Sequence, residues 1–315
     1  MSFWYRIGLP ITLTACQGAS VTPATPAIPA ATPAAPAAPL ATPAAVTDEL
    51  VDVGGLSLHI RCVGDATPVV VLDAGLGDDG GVWSQVQPEL GRFTRACAYD
   101  RAGTGSSSAA PRPHTSRQMV RELHTLLGRA GIAGPYVLVG HSLGGLNVRL
   151  YASEHPGEVA GMVLIDATTE EQDARSWSLI PEETMRGFRA SLADHPEGLD
   201  FDAFRASMAE VRDSKRSLGD MPLVVLTHGK EGPPPPGVSA GLSAQMAQVW
   251  REMQSELPRL SSNSVHFTAE NSGHYIHRDA PRLVVAAVQE VVRAVRTRAR
   301  VDESTMSALA HEGSP

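Results

Sequence analysis

Basic residues are the minority charge in this chain of 315 residues: 26 Lys and Arg stand against 34 Asp and Glu, for a net charge of −8. That balance argues against nucleic acid as a partner, because phosphate binding needs a basic face. Aromatic residues are also few, with 6 Phe, 5 Tyr and 4 Trp, so no platform for stacking bases stands out. Only three cysteines occur. His and Cys do not cluster at ligand spacing and the acidic residues form no calcium loop, so neither a metal site nor a cofactor is expected. The apolar stretch Ile7 to Ala15 is too short to span a bilayer. What is present is ordinary for a globular protein, 43% hydrophobic and 19% charged. The length suits one large α/β domain or two small ones.

The first residues do not look like domain sequence. Arg6 supplies a small positive region ahead of Ile7 to Ala15. Leu13-Thr14-Ala15-Cys16 resembles the lipobox of bacterial lipoproteins. The resemblance implies a signal peptide over residues 1–15, a lipidated Cys16, and a membrane-anchored protein of the cell envelope. The alternative is a plain secretory signal cut further on. Residues 16–47 read as an Ala/Pro/Thr-rich tether, with proline at 23, 26, 29, 33, 36, 39 and 43. Proline at that spacing favours extended polyproline II, so the stretch from Ala19 to Val46 could reach at most roughly 90 Å at ~3.1 Å per residue.

From Asp48 to Arg298 strand-like and helix-like segments alternate. Gly54-Gly55 separates two short strand patterns, a hairpin signal. Pro68 to Ala74, Phe93 to Tyr99, Pro135 to Val139, Gly161 to Ile165 and Pro222 to Leu226 read as strands, several as unbroken apolar runs of the kind buried on both faces. Ser264 to Ala269 reads as the last strand. Helices are expected over Ser116–Ala130, Leu143–His155, Ser239–Leu257 and Pro281–Arg298. The polar, helix-forming block from Thr168 to Asp220 interrupts this rhythm. Residues 299–315 carry no pattern and are expected to be a disordered tail. A hairpin followed by alternating strands and helices implies a mostly parallel sheet with helices on both faces.

The chemistry centres on Val137-Leu138-Val139-Gly140-His141-Ser142-Leu143-Gly144-Gly145. Here G-x-S-x-G sits between a buried strand and a helix, the context that gives it meaning as a nucleophile elbow. Downstream of the fourth strand stands Asp100-Arg101-Ala102-Gly103-Thr104-Gly105-Ser106. With these two motifs the chain resembles the α/β-hydrolase family from about Asp48 to Arg298. The resemblance implies an eight-stranded, mostly parallel sheet, with the 168–220 block as a helical lid. It implies Ser142 as nucleophile and His274, in Asn271-Ser272-Gly273-His274, as its base. His277 is the competitor for that role, and His141 has at most a supporting one. The family's H-G after the third strand reads Asp73-Ala74-Gly75-Leu76 here, so the His is missing while the glycine remains. The oxyanion hole would be the N–H groups of Leu76 and Leu143.

The acid stays open. Asp166 ends the sixth strand, one of the family's two placements. Glu231 lies just past strand seven, near the more usual placement, and Glu270 is a third candidate. The resemblance also makes the second and fourth strands neighbours, so a Cys62–Cys97 disulfide is expected in an exported domain. Dehalogenases and epoxide hydrolases of this fold carry Asp at the elbow, so Ser142 points to acyl transfer from a small-molecule ester, thioester, lactone or amide. Trp177, Leu179, Ile180, Met185 and Phe188 could line an acyl pocket or hold the lid's own helices together. Two other readings share the motifs: an acyltransferase, and a ligand-binding protein without turnover.

Overall fold

A computed structural model describes residues 45–310 apart from 215, 235 and 236. Cys16, the signal segment and most of the tether lie outside the described residues. The strands are β1 (Val46–Asp52), β2 (Ser57–Val63), β3 (Val69–Asp73), β4 (Ala96–Tyr99), β5 (Tyr136–His141), β6 (Val159–Ile165), β7 (Leu223–His228) and β8 (Ser264–Ala269). The helices are α1 (Gln87–Leu90), α2 (Ser116–Arg129), α3 (Leu143–Glu154), α4 (Gln172–Arg175), α5 (Glu182–Leu192), α6 (Phe201–Ser214), α7 (Ala240–Glu256), α8 (Ile276–Asp279), α9 (Pro281–Thr297) and α10 (Ser304–Ala310).

All eight strands form one sheet in the order β1-β2-β4-β3-β5-β6-β7-β8. β2 runs antiparallel to both of its neighbours, and every pair from β4 to β8 is parallel. The reason lies in composition. β3, β4, β5 and β7 are buried along their whole length, as apolar runs covered on both faces must be. Val71, Leu138 and Leu164 point to one face, where Leu123 and Leu127 of α2, Leu146 and Leu150 of α3 and Met208 of α6 close the core. Leu72, Val139 and Ile165 point to the other, against Leu283, Val284, Val288 and Val291 of α9. Among the described residues no helix is long and apolar enough to cross a membrane.

The register sets Cys62 opposite Cys97, and the two are joined by a disulfide. The pair encloses a loop of sequence separation 35, and chain-entropy reasoning gives such a cross-link about 2–4 kcal/mol. We expect reductant to lower the unfolding free energy measured in urea by that amount, and the midpoint with it. An unchanged midpoint, with mass spectrometry showing two free thiols, would contradict it.

Two boundaries differ from the sequence reading. β1 begins at Val46, inside the expected tether, because Val46 and Thr47 pair with Val63 and Cys62. The tail expected to be disordered instead carries α10, whose Met306 and Ala310 are buried in the core beneath α9. Two apolar side chains four residues apart bury one helical turn, too short a repeat to register as a period. The block at 168–220 is helical as expected. Trp177 packs against Phe188, Phe201 and Phe204, with ring centroids 5.2, 5.4 and 5.2 Å away. These aromatics therefore serve as the insertion's own core.

Candidate active site

Strand β5 delivers Ser142 to the carboxyl edge of the sheet. The residue sits at φ 52°, ψ −116°, between the end of β5 and the first turn of α3. A non-glycine residue at positive φ is held there only when its surroundings over-determine it, at a cost of about 1–3 kcal/mol. The surroundings do so. The Ser142 N–H donates to the Ile165 carbonyl at 3.2 Å, and its carbonyl accepts from Gly145 and Thr168, each at 2.9 Å. The flanking glycines are required by contact. A Cβ on Gly140 would lie 2.5 Å from the Gly144 carbonyl oxygen, and one on Gly144 would strike the Asp73 carbonyl.

Asp166 follows directly on β6, also at positive φ (43°), and is fully buried. Its Oδ2 accepts from His274 Nδ1 at 2.5 Å and from His228 Nδ1 at 2.7 Å. Its Oδ1 accepts from the Trp250 indole at 2.9 Å and the His228 N–H at 3.3 Å. Burial alone would raise the Asp166 pKa, but the two imidazoles and their hydrogen bonds outweigh it and hold the carboxyl far below its usual range. The same burial lowers His274, against the pull of Asp166. His228 goes the other way: burial opposes its charge, yet the field of Asp166 raises it.

Of the other acids, Glu231 is bound to Arg251 at 2.7 Å and lies 3.6 Å from His228, on the far side from His274. Glu270 is exposed, and its backbone N–H donates to the Ala310 carbonyl. His277 is fully buried against Trp83 and His141, at 4.7 and 4.5 Å, and burial pushes its pKa down to about 3. His141 donates from Nε2 to the His274 carbonyl at 3.0 Å, so it braces the loop that carries the base. Asp279 braces the same loop by accepting from the Gly273 N–H at 2.9 Å.

Leu76 and Leu143 begin two adjoining backbone segments, tied by a 3.1 Å bond from the Gly144 N–H to the Ala74 carbonyl. No acceptor among the described residues takes the N–H of either leucine. Asp166, His228 and His274 also form a group of possible metal ligands. Their donor atoms sit at 2.5 and 2.7 Å, well inside the ~3.3 Å edge that two ligands span around zinc, so the geometry is that of shared protons.

His228 and Trp250 were not among the residues singled out from sequence. His228 had a positional signal, since it ends β7 beside Asp166. Trp250 is one apolar position on an amphipathic helix and had none.

Comparison with known proteins agrees with this fold. Residues 68–287 match the α/β-hydrolase fold family model. The chain is 32% identical over 256 residues to the uncharacterized protein YqjL of Bacillus subtilis (strain 168), covering 79% of this chain and 93% of that one. Over 100 residues it is 36% identical to the putative carbamate hydrolase RutD of Cronobacter turicensis, covering 31% of this chain and 37% of that one. A thermophilic esterase from Thermogutta terrifontis superposes with a TM-score of 0.56 at 22% identity, covering 79% of this chain and 99% of that one. With its eight-stranded sheet and its elbow in place, the chain belongs to the α/β-hydrolase fold family.

Proposed function

We propose that the protein is a serine hydrolase that cleaves carboxylic esters through an acyl-enzyme. The observation that carries this reading is the short bond from His274 Nδ1 to buried Asp166, beside a strained Ser142. With Nδ1–H held by Asp166, the free Nε2 of His274 is the basic nitrogen. It takes the Ser142 proton as Oγ attacks the ester carbonyl. The oxyanion that forms is met by the N–H groups of Leu76 and Leu143. Collapse of the tetrahedral adduct breaks the bond to the alkoxy oxygen, which leaves with the proton from His274. Water, deprotonated by the same imidazole, then releases the acid. The esterase and the putative carbamate hydrolase above, by what their names say they cleave, support acyl chemistry here. The lipobox-like Cys16 supports a site outside the cytoplasm, anchored at a membrane.

The test is a fluorophosphonate probe followed by peptide mapping, beside a chain-length panel of aryl esters. Labelling confined to Ser142 together with ester turnover is expected. A folded protein that neither labels nor turns over would sink the reading, and product going to an added alcohol in place of water would make it an acyltransferase.

Burial of His274 predicts the pH profile. The base must be neutral to act, and its pKa lies below the ordinary 6.5. The acid limb of kcat/KM should therefore have its midpoint below 6.5 and level off toward neutrality. A midpoint above 6.5 would contradict this assignment.

A further inference from the structure

The Arg101 guanidinium is buried, 2% exposed, and its five hydrogen bonds converge on one loop and one acid of the insertion. Nη1 donates to Asp73 Oδ1 at 2.6 Å and to the Ala74 carbonyl at 2.7 Å. Nη2 donates to the Gly75 carbonyl at 2.6 Å and to Glu197 Oε1 at 3.2 Å, and Nε donates to Glu197 Oε2 at 2.7 Å. Glu197, fully buried, also accepts the Gly77 N–H on Oε1 at 2.5 Å. Three successive peptide units from Ala74 to Gly77 are thus held by this one pair. The middle unit matters most. In a trans peptide the carbonyl and the N–H point in opposite directions. Pinning the Gly75 carbonyl on Arg101 therefore fixes where the Leu76 N–H is aimed.

Glu197 belongs to the 168–220 insertion, yet the stretch around it is not free to lift. The His114 ring donates to the Glu197 carbonyl at 2.8 Å. Gly103 and Gly198 lie so close to the Pro196 and Pro111 carbonyls that neither has room for a Cβ. The insertion at this point is wedged between the 103 turn and the 111–114 segment.

We propose that Arg101 and Glu197 are positioning residues that present the Leu76 N–H to the oxyanion, so that the insertion completes the catalytic apparatus. The inference rests on the serine-hydrolase reading above. Neither side chain need touch substrate. The pair would act on the transition state, where negative charge develops on the carbonyl oxygen, and hardly on ground-state binding.

The experiment compares wild type, Ser142→Ala, Glu197→Ala, Glu197→Gln and Arg101→Lys on one aryl ester, with an arylboronic acid as mimic of the tetrahedral adduct. Glu197→Ala should lower kcat on the order of 10²-fold, as misplacing one oxyanion donor does, with KM within about 3-fold. Boronate affinity should fall in step with kcat/KM, while the midpoint of the acid limb stays where it is. Glu197→Gln keeps the side-chain volume and an acceptor for Gly77 and Nη2 but turns an N–H toward Arg101 Nε, so it should recover part of the loss. Arg101→Lys keeps the charge but not the fork and should resemble Glu197→Ala. Glu197→Gln and Arg101→Lys also guard against an alanine variant that does not fold. Turnover that survives in Glu197→Ala and Arg101→Lys overturns the proposal. So does a loss confined to KM, or a loss of kcat with boronate affinity intact. Failure of the underlying reading is separate: wild type would be inert, or Ser142→Ala would be as active as wild type.

Discussion

Ser142→Ala is expected to lower kcat by on the order of 10⁴–10⁶-fold while leaving KM and the thermal midpoint near wild type. The size follows from what is removed. Without Oγ no acyl-enzyme forms, and any remaining reaction is direct attack by water on a bound ester. That route retains whatever the Leu76 and Leu143 donors and substrate placement supply, typically 10³–10⁴-fold over solution. Stability should hold because the fold already bears the unusual backbone at position 142, and alanine bears it no worse than serine. The measurement is steady-state hydrolysis of an aryl ester, with the fluorophosphonate probe run in parallel. Full turnover in the variant would remove the nucleophile assignment and the mechanism with it.

Asp166→Asn should cost about 10⁴-fold in kcat, against less than about 3-fold for Glu231→Gln. The carboxylate accepts the Nδ1 protons of both His274 and His228. An asparagine amide turned toward His274 would offer N–H where a lone pair is needed, and the imidazole would settle in the tautomer that cannot take the serine proton. The variant also takes from buried His228 the carboxylate that accepts its ring N–H and raises its pKa, so some loss of stability is expected alongside the loss of rate. Glu231 meets Arg251 at the surface and reaches only the far side of His228. A crippled Glu231→Gln beside an active Asp166→Asn would reverse the assignment of the acid.

The elbow was legible because one feature, a glycine-flanked serine between an apolar strand and an amphipathic helix, encodes both its place and its chemistry. His274 was legible from its position after the last strand. The choice of acid was not, since Asp166, Glu231 and Glu270 all stand at or near strand ends and the direction of a side chain at positive φ is a matter of three dimensions. Arg101 and Glu197 lie 96 residues apart, and nothing local to either one announces the other. The aromatics of the insertion looked equally suited to a pocket or a core, and packing alone separates these. The helix at 304–310 escaped notice because two buried side chains make no rhythm.

Asp166 is crowded in a way that bears on where a proton can travel. Four N–H groups converge on its two oxygens, and against burial the two imidazoles among them keep it ionised far into acid. A carboxylate so saturated has no vacancy for a fifth hydrogen. In the proposed cycle the proton leaving Ser142 therefore comes to rest on His274, and its route has a terminus there. The imidazolium is balanced across a salt contact and is never discharged through it. The second histidine on Asp166 has the corresponding meaning: it is ballast that fixes the charge of the acid, so that the first can change its own.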